Sequence, residues 1–235
     1  MVRAPFWYPP ILAYHRIHPD GRTDTPTIPP DRFSRQMALL AAHWRPISLG
    51  ELVDCLERGA PPPDRSVAVT FDDGTDDFFT HALPILAEHR IPAAVFVIAG
   101  NVGRPGSLTP TQLTAISSRG ICLGSHTLSH DYLPSMSLAR AEESLSLSKQ
   151  LLERSCGRVE FLSYPAGGFT PEIARAARSL GYRAACTTNR GHRRHPIDRW
   201  ALRRISMRPG TESRFGMWLR CSGYYGFNRR LRPPA

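Results

Sequence analysis

The chain has 235 residues, which is enough for one large α/β domain or two small ones, and its 41% apolar content is ordinary for a soluble protein. No stretch approaches the ~18 uninterrupted apolar residues that a membrane-spanning helix needs. The five cysteines are scattered without a C-x-x-C pair, which argues against a disulfide framework and against a cysteine zinc site.

The net charge of +10 is unevenly distributed along the chain. From Arg183 onward there are thirteen arginines and two acidic residues, whereas the part before Arg183 is nearly neutral. This asymmetry predicts a C-terminal surface for an anion, such as membrane headgroups, a phosphate-linked substrate or nucleic acid. Prolines interrupt the first apolar residues and no small-residue cleavage site follows, so we predict no signal peptide and expect a cytoplasmic protein.

The predicted elements alternate between strands and helices along the chain. In order, we predict a strand over 11–15, a helix with an apolar face over 33–44 capped by Asp31, a helix capped by Ser48, a strand over 67–71, a helix over 76–89, a strand over 93–98, a helix capped by Thr109, a strand over 121–124, a helix over 137–155, a strand over 159–164, a helix capped by Thr170, and strands over 182–187 and 202–207. Seven strands linked mostly by helices imply a parallel sheet, open or closed, with ligands at the carboxyl ends of the strands.

Two adjacent carboxylates, Asp72 and Asp73, end the strand at 67–71. Like charges in a poorly solvated place repel, so one of the two pKa values should rise unless a positive group lies between them. A metal ion, an arginine or a helix N-terminus could supply that positive group.

His126 and His130 follow another predicted strand and are four residues apart, a spacing that lets both imidazoles bind one cation. Asp73 would complete three protein ligands, which is the usual catalytic zinc arrangement because a position stays open for the reactant. Taken alone, each of the two motifs has an ordinary structural interpretation. The histidines could be surface or core residues, and the carboxylates could form a turn or a helix cap. Their joint placement at strand ends favours a metal site.

The sequence TFDDG at 70–74, followed by HTLSH at 126–130, resembles the polysaccharide deacetylases of carbohydrate esterase family 4, whose domain is of the nodulation type. The segments ILAYH, PISLGELVDCL and SYPAG resemble the branch that contains poly-N-acetylglucosamine deacetylases. The resemblance covers about 11–207 and implies a single α/β domain, a distorted (β/α)7 barrel. We therefore expect that barrel over 1–207 and a basic, aromatic extension over 208–235, packed on or near it.

The resemblance also implies an activity, the hydrolysis of N-acetyl groups on an amino sugar of a poly- or oligosaccharide, and a divalent metal. Zinc is the expected metal, with nickel, cobalt and manganese as alternatives. The implied site residues are Asp73, His126 and His130 as metal ligands, Asp72 as general base, Ala166 as the backbone donor to the oxyanion, and Tyr164, Pro165 and Gly167 as substrate contacts.

The sequence departs from the family pattern at two positions. Ser163 stands where many members have an arginine that pairs with the base, so the orientation of Asp72 must come from another residue. Leu202-Arg203-Arg204 stands where many have Leu-x-His, whose histidine protonates the leaving amine. We expect His15 to replace that general acid.

Some polar residues near these motifs are weaker candidates. His192 and His195 lie in a basic loop, Asp198 and Trp200 match an acidic residue and a tryptophan of the family only loosely, and Asp76 and Asp77 are predicted to cap a helix.

Residues 213–232 mix aromatic side chains with arginines, which suits an anionic membrane surface or a lipid-phosphate-linked sugar, whereas a nucleic acid partner is not expected. A packed helix with a solvated charged face would show the same pattern. Two other functions stay open: a barrel glycoside hydrolase, although neighbouring carboxylates rarely lie ~5–9 Å apart across a sugar ring, and a non-catalytic sugar- or nucleic-acid-binding module on a degenerate deacetylase scaffold.

Overall fold

A computed structural model describes residues 9–20, 26–188 and 198–222 of the chain. The strands are β1 (Ile11–Tyr14), β2 (Arg16–Ile17), β3 (Thr27–Ile28), β4 (Arg45–Pro46), β5 (Ser66–Phe71), β6 (Ala93–Val97), β7 (Cys122–Ser125), β8 (Phe161–Ser163), β9 (Ala184–Thr187) and β10 (Leu202–Ser206). The α-helices are α1 (Pro30–His43), α2 (Leu49–Glu57), α3 (Leu83–Glu88), α4 (Pro110–Ser118), α5 (Leu138–Cys156), α6 (Pro171–Ser179) and α7 (Arg214–Cys221).

Seven parallel strands close into a barrel in the order β1, β5, β6, β7, β8, β9 and β10. The closure is made by β1, which pairs with β10 on one side and with β5 on the other. These are the seven strands that the sequence predicted, and the pairing shows that the sheet is closed, as the resemblance implied. Two short additions, β4 on the edge of β5 and the separate pair β2–β3, lie outside the ring.

Alternation along the strands divides the apolar residues into two clusters, because successive side chains of a strand point to opposite faces. One cluster fills the barrel with mostly small residues and two rings, from Ile11, Ala68, Ala94, Phe96, Phe161, Ala184, Cys186 and Leu202. Residues of α2 and the segment before it join this cluster. Arg183, just before β9, donates to Asp54 of α2 at 2.6 Å, so α2 covers the amino ends of the strands.

The alternate residues face outward and pack against the helices. They include Leu12, Val69, Val95, Leu123, Leu162 and Ile205, and they belong to one large cluster with apolar residues of α1, α4, α5 and α6. The interior is therefore covered by α2 at the amino ends, and its carboxyl ends are left for the polar groups of a site.

The helix caps follow the sequence signals at three helices and depart from them at Asp31 and Asp77. The predicted caps Ser48, Thr109 and Thr170 each accept a backbone hydrogen bond at their helix. Ser137, predicted only to begin a helix, caps α5 in the same way. Asp31 was predicted to cap α1, and this is wrong: Pro29 occupies the cap position, and Asp31 in the first turn pairs with Arg35 at 2.5 Å.

The chain after β10 returns to the barrel exterior through α7. Met217 and Cys221 are buried on the inner side of α7, and Glu212 before it pairs with Arg32 of α1 at 3.1 Å. The predicted extension over 208–235 is described only as far as residue 222. None of the helices in the described part of the chain combines the length and hydropathy that a membrane crossing requires.

A test of the barrel interior is Gly124→Ala. A methyl group at Gly124 in β7 would lie 2.6 Å from the Phe96 ring and 2.9 Å from the carbonyl oxygen of Phe161. We expect a loss of about 1–3 kcal/mol in the free energy of unfolding, measured in urea, because the closed barrel cannot widen at one strand. Gly50→Ala in α2, whose nearest neighbour is Ser48 Oγ at 3.7 Å, should not lower stability; equal losses would contradict this description.

Candidate active site

Polar side chains from five strands meet at the carboxyl ends of the barrel. His15 follows β1, Asp72 and Asp73 follow β5, and His126 and His130 follow β7. Ser163 ends β8 and Arg204 lies within β10. Because the strands are parallel and closed, residues far apart in sequence reach one end of the barrel.

Asp73, His126 and His130 lie close enough to bind one ion. One carboxylate oxygen of Asp73 is 3.6 Å from His126 Nε2 and 3.7 Å from His130 Nε2. The three ligand atoms all lie within 4.8 Å of one another, and among the described residues this is the one cluster of its kind. The structure thus brings together the three residues predicted as metal ligands.

A backbone carbonyl sets the tautomer of His126. The Nδ1 atom of His126 is 2.8 Å from the carbonyl oxygen of Ser163, which can only accept, so Nδ1 carries the proton. Nε2 then turns an unprotonated lone pair toward Asp73, as a metal ligand requires. Burial lowers the pKa of His126 despite the nearby carboxylates, which keeps the imidazole neutral.

The backbone at the site adopts left-handed conformations that side chains rarely favour. Asp73, Thr127, His130 and Ala166 have φ of 72°, 64°, 60° and 51°, and they are four of the six such non-glycine residues in the described part of the chain. Each such residue costs on the order of 1–3 kcal/mol and persists where the surroundings enforce it. The strain is thus concentrated in three loops. Asp73 lies in the loop after β5, Thr127 and His130 lie in the loop after β7, and Ala166 lies in the turn after β8.

Arg204 holds Asp72 through a two-pronged ion pair inside the barrel. Its two terminal nitrogens donate to Asp72 Oδ1 at 2.7 Å and Oδ2 at 2.6 Å, and they also contact Ser163 Oγ at 2.7 Å and Thr70 Oγ1 at 3.2 Å. The guanidinium lies over the Phe96 ring at 5.3 Å. Both charged side chains are almost completely buried.

This ion pair decides the charge of Asp72. Burial alone would raise the pKa of Asp72, but the charge of the Arg204 guanidinium and its hydrogen bonds hold it below its ordinary value. The same carboxylate raises the pKa of Arg204 against the effect of burial. Asp72 is therefore an ionised carboxylate fixed in one orientation.

Arg204 supplies the orientation that the sequence left to an unidentified residue. The arginine expected at position 163 is replaced by one on β10, at the position where the family pattern places a histidine. The two departures from the family pattern, a serine at position 163 and an arginine at position 204, are thus linked. The small Ser163 side chain leaves the space that the Arg204 guanidinium occupies. The spacing Leu202-x-Arg204 carried the signal, because alternation points residue 204 into the barrel beside Leu202.

His15 lies beside Asp72 at the adjacent strand end. Tyr14 and Phe71 are partners in the β1–β5 register, and the amide of Asp72 donates to the Tyr14 carbonyl at 3.0 Å. The Nδ1 atom of His15 is buried and has no hydrogen-bond partner within the described residues. His15, the predicted general acid, thus lies next to Asp72, the predicted base, and the Nδ1 atom of its imidazole makes no hydrogen bond to the described residues.

Asp77 has a different role from the predicted helix cap. It accepts a hydrogen bond from the amide of Ile17 at 2.9 Å and one from Arg16 Nε at 3.4 Å, and it does not cap the helix that follows. These contacts fasten β2, which directly follows His15, to the loop of Asp72. Asp77 thus holds the backbone that directly follows His15.

The turn over Pro165–Gly167 presents one exposed residue, Ala166, between buried neighbours. Tyr164 is 1% exposed and stacks on Phe169 with 4.7 Å between ring centroids, in the cluster that faces the helices. The substrate contact predicted for Tyr164 therefore does not involve its side chain. Alternation explains this, because Ser163 points into the barrel and Tyr164 points away from it.

Two weaker candidates have no described place at the site, since His192 and His195 lie outside the described residues. Asp198 accepts a hydrogen bond from the amide of Trp200 at 2.8 Å in a short helix before β10.

Comparison with known proteins gives consistent matches. The family profile described as "Polysaccharide deacetylase" matches residues 59–185, more than half of the chain. The Bacillus subtilis (strain 168) protein YxkH is 28% identical over 213 residues, which cover 89% of this chain and 75% of YxkH.

Solved structures match over nearly the whole chain. The Streptococcus pyogenes deacetylase PplD, solved in complex with acetate, has a TM-score of 0.82 and 26% identity, covering 91% of this chain and 99% of PplD. IcaB from Ammonifex degensii has a TM-score of 0.74 and 27% identity, covering 90% and 96%.

The ion pair is tested by Arg204→Gln. This change leaves a buried carboxylate without its partner, so we expect a loss of about 3–5 kcal/mol in the free energy of unfolding, measured in urea. The double variant Asp72→Asn/Arg204→Gln should lose less than the single variant, because no unpaired buried charge remains. Arg183→Gln is the control, since its ion pairs are partly exposed and should cost about 1 kcal/mol; similar losses for both arginines would refute the assignment.

Proposed function

The chain belongs to the polysaccharide deacetylase family and is a polysaccharide N-deacetylase, a hydrolase of N-acetylated sugars; we propose that its reaction depends on a divalent metal and on the residue roles below. One observation carries this proposal: three ligand atoms of Asp73, His126 and His130 meet beside a second carboxylate that is held ionised by Arg204.

The donor set fits a divalent cation. One carboxylate and two imidazoles, with Nε2 of His126 fixed as an acceptor, are ligands that zinc, nickel, cobalt and manganese all accept, and zinc is the metal we propose. Bound by these three residues, such an ion would act as a Lewis acid toward the acetyl carbonyl and would lower the pKa of a reacting water.

Asp72 acts as the general base. It accepts a proton from the water that attacks the acetyl carbon, and each of its oxygens keeps a second acceptor position beside its bond to Arg204. Because Arg204 holds the carboxylate on both oxygens, the base cannot rotate away from the reacting water. Arg204 is thus a positioning residue in this reaction.

Ala166 and His15 complete the reaction. Ala166, an exposed residue in a turn with φ of 51°, offers its N–H to the oxyanion that forms when water adds to the amide. The imidazole of His15 donates a proton to the amine as the carbon–nitrogen bond breaks, which releases acetate and a free amino sugar. Pro165 and Gly167 are proposed to contact substrate only through the backbone of this turn.

The two carboxylates do not form a glycosidase pair in this structure. Asp72 is bound by Arg204 on both oxygens, whereas Asp73 faces His126 and His130, so each carboxylate has its own partner. A glycosidase needs both groups directed at one sugar from opposite sides. The contacts therefore favour deacetylation over glycoside cleavage.

The test is acetate release from N-acetylglucosamine oligomers. The purified protein should release acetate, and removal of metal with a chelator should abolish this until zinc is restored. Asp72→Asn should lower kcat by at least about 100-fold, because it removes the general base, while elemental analysis still finds bound metal. His126→Ala should lose both metal and activity.

His81→Ala serves as a matched control, since His81 lies in the short π-helix Phe78–Ala82 that leads into α3 and belongs neither to the candidate ligands nor to the proposed proton-transfer residues. It should retain metal and turnover. Activity that survives complete removal of metal would refute the metal dependence, and full activity in Asp72→Asn would refute the role of that carboxylate.

A second proposal concerns α7, whose outer side carries an aromatic pair. Phe215 and Trp218 are 70% and 47% exposed and stack with 6.0 Å between their centroids, opposite the buried Met217 and Cys221. From position 208 onward the sequence has six arginines and one acidic residue, Glu212, which pairs with Arg32. Exposed aromatic rings in a segment whose sequence has excess positive charge fit the interface of an anionic membrane, which is the occupant we propose.

Vesicle sedimentation tests this surface. Phe215→Ser/Trp218→Ser should lower binding to phosphatidylglycerol-containing vesicles at least about tenfold, because two aromatic anchors are removed. The control is Leu147→Ser/Leu151→Ser, which removes two exposed leucines of α5 and should bind as the unchanged protein does. Equal binding by all three proteins would contradict the proposal. So would binding of the unchanged protein to vesicles of phosphatidylcholine alone that equals its binding to phosphatidylglycerol-containing vesicles.

A further inference from the structure

One exposed aromatic side chain, that of Tyr132, lies between two loops of the active site. Tyr132 follows His130 by two residues in the loop after β7 and is 53% exposed. Its ring lies on Gly168, which directly follows the turn of Ala166: a methyl group at Gly168 would lie 2.3 Å from ring atom Cε2. The ring therefore bridges the ligand loop and the proposed oxyanion turn.

Gly168 has no backbone reason to be glycine. Its φ of −80° and ψ of 127° are open to any residue, so conformational freedom does not explain its lack of a side chain. The contact with Tyr132 does explain it, because any β-carbon would push the ring out of its place. Gly168 thus makes room for one orientation of this ring.

The loop that carries Tyr132 is held on both sides. Before it, the carboxylate of Asp131 accepts a hydrogen bond from Ser144 of α5 at 2.6 Å, and the amide of Asp131 donates to Thr127 Oγ1 at 3.0 Å. After it, Leu133 is completely buried. An exposed ring on a fixed backbone loses little conformational freedom when a ligand binds, which is the property of a preorganised binding surface.

An exposed aromatic ring beside a polar site matches the chemistry of a sugar. A pyranose ring presents a face of C–H groups that packs on the electron-rich face of an aromatic ring, while its hydroxyls stay in water. The cation site and Ala166 concern only the acetamido group. A contact beside them is needed to bind the rest of a glycan chain.

We infer that Tyr132 stacks on a sugar ring of the glycan next to the acetylated unit, and so makes the enzyme prefer oligosaccharides to single sugars. This inference rests on the proposed function, because it takes an N-acetylated glycan as the substrate. Tyr132 is a specificity-determining residue in this assignment and takes no part in proton transfer.

The test compares Tyr132→Ala and Tyr132→Phe on an N-acetylglucosamine tetramer. Tyr132→Ala should raise KM about tenfold, equivalent to about 1.4 kcal/mol, and lower kcat by less than about threefold. Tyr132→Phe should keep the KM of the unchanged enzyme, because the ring remains. Leu138→Ala, which alters an exposed residue of α5, is the control and should change neither constant.

Gly168→Ala tests the same contact from its other side. It moves the ring without deleting it, so KM should again rise, and the double variant Tyr132→Ala/Gly168→Ala should be no worse than Tyr132→Ala alone. Losses that add independently, or a fall in kcat without a change in KM, would show that the loop was merely disturbed and would overturn the inference.

A binding measurement separates this inference from the proposed function. In the Asp72→Asn background, calorimetric titration with the tetramer should give a Kd about tenfold higher when Tyr132 is alanine, equivalent to about 1.4 kcal/mol. Acetate release that persists with unchanged KM in Tyr132→Ala overturns the inference and leaves the proposed function intact. Absence of acetate release by the unchanged enzyme overturns the proposed function. If Asp72→Asn and Asp72→Asn/Tyr132→Ala give the same calorimetric result, including no binding by either, the inference is overturned.

Discussion

The buried ion pair between Arg204 and Asp72 is the constraint around which the active site is arranged. Two opposite charges inside a barrel are costly to desolvate, and their attraction offsets this cost only when the geometry is good and further hydrogen bonds are made. Both terminal nitrogens of Arg204 are hydrogen-bonded, whereas its buried Nε has no hydrogen-bond partner among the described residues. Thr70, Ser163 and the Phe96 ring complete the surroundings of the guanidinium, so three further strands, β5, β6 and β8, are committed to this one interaction. The small residues below it leave the space that the arginine needs.

The two neighbouring carboxylates have separate partners, and strand geometry explains the separation. Asp72 continues the alternation of β5 and points inward to Arg204. Asp73 leaves the strand in a left-handed conformation and faces His126 and His130. The question raised by the sequence, whether a metal or an arginine balances the pair, therefore has a divided answer: an arginine balances Asp72, and the imidazole pair faces Asp73.

The exchange between positions 163 and 204 also bears on the proton donor. With Arg204 on β10, the position where the family pattern has a histidine is filled, and the proton donor that we propose instead is His15, which follows β1 and has a buried Nδ1 without a hydrogen-bond partner among the described residues. Asp77 fastens the strand that follows His15 to the loop that follows Asp72. In this proposal, an exchange on β10 is accompanied by a proton donor from the neighbouring strand β1, with which β10 pairs.

The sequence by itself determined the seven barrel strands and identified most of the residues that meet at the candidate site. Short apolar runs predicted all seven barrel strands, caps such as Ser48, Thr109 and Thr170 predicted where helices begin, and the motifs at 70–74 and 126–130 identified Asp72, Asp73, His126 and His130, because these signals are local. Only the tertiary structure decided the pairing of β1 with both β5 and β10, the partnership of Asp72 with Arg204, the outward direction of Tyr164 and the contact of Tyr132 with Gly168. Each of these depends on how distant strands and loops meet around the barrel, and spacing within one segment contains no measure of that distance.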